Sequence, residues 1–117
     1  MTDASAPLSY ADFLKVDIRV GRIVDVQDFP EARKPAYKLK IDFGSVLGIK
    51  TSSVQATQHY SKGDLAARLV VAVVNFPPKQ IGPYMSEVLT LGIPDAEGAV
   101  VLLAPTDQDV PLGGRMF

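Results

Sequence analysis

Apolar residues in this chain come in short runs broken by Gly, Pro and Asp, and that rhythm constrains its fold more than any other feature. Runs of this length suit the strands of a small closed sheet, whereas helices need longer windows of 3.6-residue periodicity. Tyr37, Leu39, Ile41 and Phe43 alternate with Lys38, Lys40 and Asp42, which turns the first set toward a core and the second toward water. Leu69 to Val74 is apolar on both faces and predicts a central strand. From Val16 to Val26, the alternation places Val16, Ile18, Val20, Val24 and Val26 on one side, with Asp17, Arg19, Gly21 and Asp25 on the other. Gly21 is where such a long strand is expected to bend.

A third strand is expected over Ile49 to Val54, and shorter ones over Ser86 to Leu91 and Ala99 to Leu103, the last two separated by a Gly92 to Gly98 loop. Ser9, with Asp12 three residues on, predicts a capped helix from Tyr10 to Lys15. A helical turn is expected near Ala56 to Tyr60, followed by a turn at Ser61 to Asp64. Strands in this number close most simply as an all-β, five-stranded OB-type barrel with short helices and terminal extensions. The expected organisation is one domain over residues 1–117, with its core at about 13–113.

The sequence has no cysteine, which removes disulfides, thiolate zinc sites and thiol nucleophiles and suits a reducing compartment, so the cytoplasm is expected. Met1 to Leu8 has neither a basic start nor an apolar run, and no stretch is long enough to span a bilayer, so neither export nor membrane insertion is expected. The net charge of −1 hides a polarity: Lys15 to Lys79 holds eleven Lys and Arg against six Asp and Glu, while the rest of the chain has only Arg115 against seven acids. A cationic face toward phosphates or acidic partners is therefore compatible with the acidic overall balance.

Catalysis finds little to work with. His59 is the sole histidine, and neither Ser52 nor Ser53 sits on a glycine-flanked elbow that would make it a nucleophile. The acids are scattered through turns, so no metal site is expected, and no phosphate-binding glycine loop or cofactor motif is present. These features predict a binding protein rather than an enzyme. The unusual segment is Asn75 to Glu87, where three prolines and Gly82 stiffen a loop carrying Phe76, Ile81, Tyr84 and Met85. A preorganised apolar surface of this kind loses little entropy on docking a ligand, and Lys79 gives it a cationic edge suited to an extended peptide or an unstacked base.

Several separate stretches resemble one family. Asp17 to Ile23, Phe29 to Arg33, Asn75 with Pro78-Lys79, and Ser86-Glu87 are similar to the tRNA-binding domain. Lys38 to Gly44, Gly48 to Ser53, Val73 to Pro78 and Ser86 to Gly92 resemble its CsaA branch of export chaperones. Ser52-Ser53-Val54 and Ser86-Glu87-Val88-Leu89 depart from the tRNA-binding pattern and favour that branch. The resemblance implies a homodimer that binds unfolded or precursor polypeptides in protein export, with tRNA or structured RNA as the alternative partner. Phe76, Ile81, Tyr84 and Met85 would then contact peptide. The resemblance assigns Arg19 and Lys79 to RNA phosphates and Asn75, Ser86 and Glu87 to shaping the loop that meets the RNA, while Lys38 and Lys40 project from one strand and are expected to extend the cationic face near Arg19. A purely structural dimer is the third possibility. Exposed apolar residues at both ends, Leu8, Tyr10, Phe13 and Leu14, then Val110, Leu112, Met116 and Phe117, also predict self-association.

Overall fold

The computed structural model describes residues 4–117, so Met1 to Asp3 of the expected N-terminal extension lie outside the described residues. The elements are α1 (Tyr10–Phe13), β1 (Ile18–Asp28), β2 (Tyr37–Asp42), α2 (Gly44–Leu47), β3 (Ile49–Val54), α3 (Lys62–Leu65), β4 (Leu69–Val73), β5 (Lys79–Ile81), β6 (Tyr84–Ser86), β7 (Leu89–Thr90), β8 (Gly92–Pro94) and β9 (Val100–Leu102). Five of them form one antiparallel sheet in the order β3-β2-β1-β4-β7. Its two outer strands then approach each other. The backbone N–H groups of Glu87 and Val88 both donate to the Thr51 carbonyl, at 2.9 and 3.2 Å, and the Ser52 hydroxyl lies 2.8 Å from that of Thr90. These contacts nearly close the sheet into the expected OB-type barrel.

β1 is long because it serves both halves of the barrel. Its first part pairs with β4, from Ile18 opposite Val73 to Arg22 opposite Leu69, and its second with β2, from Arg22 opposite Asp42 to Asp28 opposite Tyr37. Gly21 faces the interior: a Cβ there would lie 2.5 Å from Ile41 Cγ2 and 2.8 Å from Phe43 Cδ1. The register slips between Ile23 and Asp25, so the bulge falls at Val24 rather than at Gly21.

The strand therefore faces differently from the expected alternation. Ile23 is in the core at 1% exposure, whereas Val24 is 50% exposed. Ile18 and Val20 are buried on the opposite face, outside the central cluster. The C-terminal segment pairs along this part of β1, on the edge opposite β4. Gly113 N–H donates to the Val20 carbonyl at 2.8 Å, Val20 N–H to Gly114 at 3.1 Å, and Met116 N–H to Ile18 at 2.8 Å. Both faces of β1 thus carry buried apolar side chains, so a simple alternation with one buried side does not apply.

Ile23, Leu39, Ile41, Phe43, Leu65 and Val70 lie at the centre of the core, each at most 1% exposed. Ser9 caps α1 as its sequence suggests, accepting from Asp12 N–H at 3.0 Å, but the helix is a single turn that ends before Lys15. Residues 57–59 form a turn rather than the helical turn expected there. The helix falls instead at Lys62–Leu65, where Ser61 and Asp64 make a reciprocal capping box. The segment Asn75 to Glu87, expected as a loop, contains the hairpin β5–β6, and the expected loop Gly92 to Gly98 supplies β8, which pairs with β9 inside the strand expected over Ala99 to Leu103. Among the described residues no helix is long and apolar enough to cross a membrane.

Candidate ligand groove between two hairpins

The proline-rich segment doubles back at Gly82-Pro83. Ile81 opposite Tyr84 leaves a two-residue turn, and Gly82 at φ 56° supplies the positive dihedral that a II′ turn needs at its first position. Proline fits the second. Lys79, Ile81, Tyr84 and Ser86 share one face of this hairpin, and that face leans on the barrel.

Tyr84 is the main anchor. Its hydroxyl donates to the Leu39 carbonyl at 3.0 Å, its ring meets Phe29 edge-on at 5.5 Å, and the Lys38 ammonium lies 5.6 Å from its centroid and 5.7 Å from that of Phe29. Burial holds the Tyr84 phenol above its ordinary pKa. Further along, the single Thr51 hydroxyl proton is shared between the Met85 carbonyl at 2.7 Å and Glu87 Oε1 at 3.0 Å, Thr51 N–H donates to the same Glu87 oxygen at 3.0 Å, and Ser53 N–H donates to Ser86 Oγ at 3.0 Å. The hairpin is thus bolted across β2 and β3.

β5 overhangs an open groove of about 770 Å³. Phe76, Lys79 and Ile81 line it on one side and Ile93, Pro94 and Gly98 on the other, with Val54, Val88 and Leu89 between them. Phe76, Leu89 and Ile93 are each about half exposed, at 51%, 49% and 54%. Large apolar side chains left this open in a concave site are a binding feature rather than a packing one. The turn between β8 and β9 is stiffened by Asp95, which accepts from the Glu97 and Ala99 N–H groups at 2.9 Å and pairs with His59 Nε2 at 2.7 Å. The His59 bond and those backbone donors hold the Asp95 carboxyl below its usual range.

The groove brings together Phe76, Ile81, Lys79, Ser86 and Glu87 of the residues singled out from sequence. Tyr84 and Met85 do not line it: the first is turned onto β2, and the second projects to solvent on the outer face of β6. Asn75 is a clamp. Its Oδ1 accepts from Asp17 N–H at 3.0 Å and its Nδ2 donates to the Lys15 carbonyl at 2.7 Å, tying the segment before β1 to the end of β4. Arg19 does not neighbour Lys38 and Lys40. Lys38 pairs with Gln27, eight residues along β1 from Arg19, a separation of about 25 Å in an extended strand. The Arg19 guanidinium is held by Asp17, at 2.6 and 3.2 Å, and by the Gly113 carbonyl at 3.0 Å. Lys40 is exposed, opposite Asp25. Ile93 and Pro94 were missed because Gly92 to Gly98 has the composition of a plain loop, in which the apolar Ile93 was the available signal, and Leu89 because it falls in the strand expected over Ser86 to Leu91, where an apolar residue reads as core.

The family described as "Putative tRNA binding domain" matches residues 18–115. The chain belongs to that family. It is 40% identical over 109 residues to a methionine–tRNA ligase of Thermococcus onnurineus and 39% identical to that of Nanoarchaeum equitans, matches that take in 93% of this chain but only 14% and 13% of the enzymes. It therefore spans about one-seventh of the length of those curated relatives. Two solved structures match it along their whole length. The CsaA chaperone protein from Picrophilus torridus is 50% identical, with a TM-score of 0.87 over 95% of this chain and 100% of its own. Chaperone CsaA from Bacillus anthracis is 47% identical, with a TM-score of 0.87 over 96% and 100%. This is a CsaA-like tRNA-binding-domain protein.

Proposed function

We propose that the chain is a non-catalytic, cytoplasmic chaperone that holds exposed apolar segments of unfolded or precursor polypeptides before export, and that it does so as a homodimer. The observation that carries this reading is the groove: three large apolar side chains half exposed on walls fixed by side-chain bonds, in a fold shared with two CsaA chaperones at 47–50% identity. A rigid apolar surface gains affinity because little of it has to be ordered on binding.

RNA binding is the second reading, favoured by the family match and by Lys40 and Lys79 standing exposed on the barrel and hairpin. Salt separates the two. Neutralising phosphates releases condensed counterions, so tRNA affinity falls steeply with salt, whereas apolar capture changes little. Titrating labelled tRNA and an unfolded precursor at two salt concentrations is expected to give salt-insensitive precursor binding. Binding of tRNA alone would overturn the chaperone reading.

Self-association rests on a second apolar trough of about 560 Å³ beside the C-terminal segment, lined by Val20, Val71, Leu103, Val110 and Met116. α1 buries none of its residues, and Tyr10 and Leu14 stand exposed. A second copy is the proposed cover for both. Sedimentation at micromolar concentration is expected to give twice the chain mass, and a monomer there would refute the dimer.

A further inference from the structure

Both hairpins beside the groove have an unpaired edge. Among the described residues β5 is hydrogen-bonded to β6 alone, and β8 to β9 alone. The register shows which backbone groups are free on β5. In a two-residue hairpin the closing pair, Ile81 and Tyr84, exchanges both hydrogen bonds, so the next pair, Gln80 and Met85, is of the non-bonded kind. The N–H and C=O of Gln80 consequently point away from β6, over the open edge. The side-chain amide of Gln80 does not cover them, being turned to the Gly82 carbonyl at 3.2 Å. Period-two alternation puts the Pro78 carbonyl on the same edge. Pro77 and Pro78 before β5, and Pro94 at the end of β8, lack donors, which discourages these edges from pairing with copies of themselves while leaving the Gln80 donor and acceptor available.

The charges around the groove differ from end to end. Of the charged residues lining it, Lys79 is on the β5 side and the Glu87 carboxylate is engaged by Thr51; Glu97, next in sequence to the lining Gly98, stands exposed at the other side. Asp95, its acidic neighbour, is already paired with His59. An extended chain with a carboxylate near Lys79 and a cation near Glu97 complements both.

We infer that the groove takes a polypeptide segment as an added strand on β5, bonded through the backbone of Gln80, with apolar residues at alternate positions resting on Leu89, Ile93 and Phe76 and an opposite charge at each end. This rests on the polypeptide-binding reading and adds the mode of capture. Strand addition draws affinity from main-chain bonds and selectivity from alternate side chains, so the segment is recognised by its apolar pattern rather than by a fixed sequence.

The test uses a labelled synthetic peptide of alternating valine and serine with glutamate at one end and lysine at the other, followed by fluorescence anisotropy. N-methylating one alternate set of its amides is expected to weaken binding about tenfold or more, and methylating the other set to leave it unchanged. Loss through the serine set would mean that the added strand runs antiparallel to β5, loss through the valine set that it runs parallel, because the amides facing Gln80 belong to different residues in the two arrangements. Gln80→Pro, which removes the one edge donor, is expected to give the same loss with an unchanged melting temperature. If the parent protein binds the peptide but tolerates both methylated sets, or is impaired equally by both, strand addition is refuted and the chaperone reading stands. If it binds neither this peptide nor an unfolded precursor, both are refuted.

Discussion

Truncating Tyr84 to alanine removes three contacts that hold the β5–β6 hairpin on the barrel. The hydroxyl bond to Leu39, the edge-on contact with Phe29 and the Lys38 ammonium over the ring are lost together. At about 1 kcal/mol for the hydrogen bond, about 0.5–1.5 for the aromatic pair and about 0.5–1 for the cation, the loss comes to about 2–4 kcal/mol. For a chain of this size that lowers the melting temperature by roughly 10 °C. Tyr84→Phe keeps the ring and loses only the hydroxyl, so about 1 kcal/mol is expected. Thermal unfolding followed by circular dichroism reads both variants, and a cycle with Phe29→Leu isolates the ring contact at about 1 kcal/mol of coupling. The sequence alone favours Tyr84 as a pocket residue whose truncation leaves stability near native; the geometry reverses that. Client binding is also expected to fall in Tyr84→Ala, since the wall carrying Ile81 and Lys79 is no longer held. A Tyr84→Ala protein that melts within about 2 °C of the parent would show that these contacts do not fix the hairpin and would remove the basis for treating the groove as preformed.

Two further expectations concern the frame around the groove. Gly21→Ala drives a methyl into Ile41 and Phe43, and a loss of about 1–3 kcal/mol is expected in chemical denaturation, with no change in net charge or in the groove residues. The Asp17 carboxyl is held below its ordinary pKa by the hydrogen bond from Arg19, so the stability it contributes is fully present above the ordinary carboxylate range near pH 4 and is lost as the pH falls through its lowered value. Asp17→Asn is expected to flatten that acid limb of the stability profile, and an unchanged limb would remove this pair from acid unfolding.

The strands with one clear cover were legible from their pattern. Tyr37 to Phe43 faces as its alternation says because β2 has the core on one side and the hairpin or solvent on the other, and Ile49–Val54 has the bounds its sequence suggests. β1 was not legible in the same way. Its valines are equally apolar before and after the bulge, and the register slip at Val24, set by pairing with the distant β2, is what separates the Ile23 that faces the core from the alternation that runs through Ile18 and Val20. The β5–β6 hairpin and the β8 arm of the second one were hidden for a related reason, although β9 falls where a strand is expected: proline and glycine mark a turn but do not say that the three residues beside it will pair. What holds the pairing at Lys79–Ser86 is the bonding to β3, two strands away in the chain: the Thr51 hydroxyl donates to the Met85 carbonyl and the Ser53 backbone N–H to the Ser86 hydroxyl.

The candidate site shows the same division between local and distant causes. Phe76 and Ile81 could be singled out because an apolar side chain on a stiff segment is a local property, and both reach the groove. Asn75, Ser86 and Glu87 were singled out through resemblance as residues near a ligand, and their bonds make each a part of the frame. Asn75 fixes the start of β1 to the end of β4, while Ser86 and Glu87 tie the strand after the hairpin to the β3 edge. A residue that positions a binding wall is needed for binding whether or not it touches the ligand. For these three positions, the structural bonds account for the residue type by themselves: an amide that both donates and accepts, a hydroxyl that meets a backbone N–H, and a carboxylate that receives two donors from one threonine. The ligand's own demands are therefore to be sought at Phe76, Leu89, Ile93 and the free edge of β5, where half-exposed apolar side chains and an unbonded peptide group have no such explanation within the barrel.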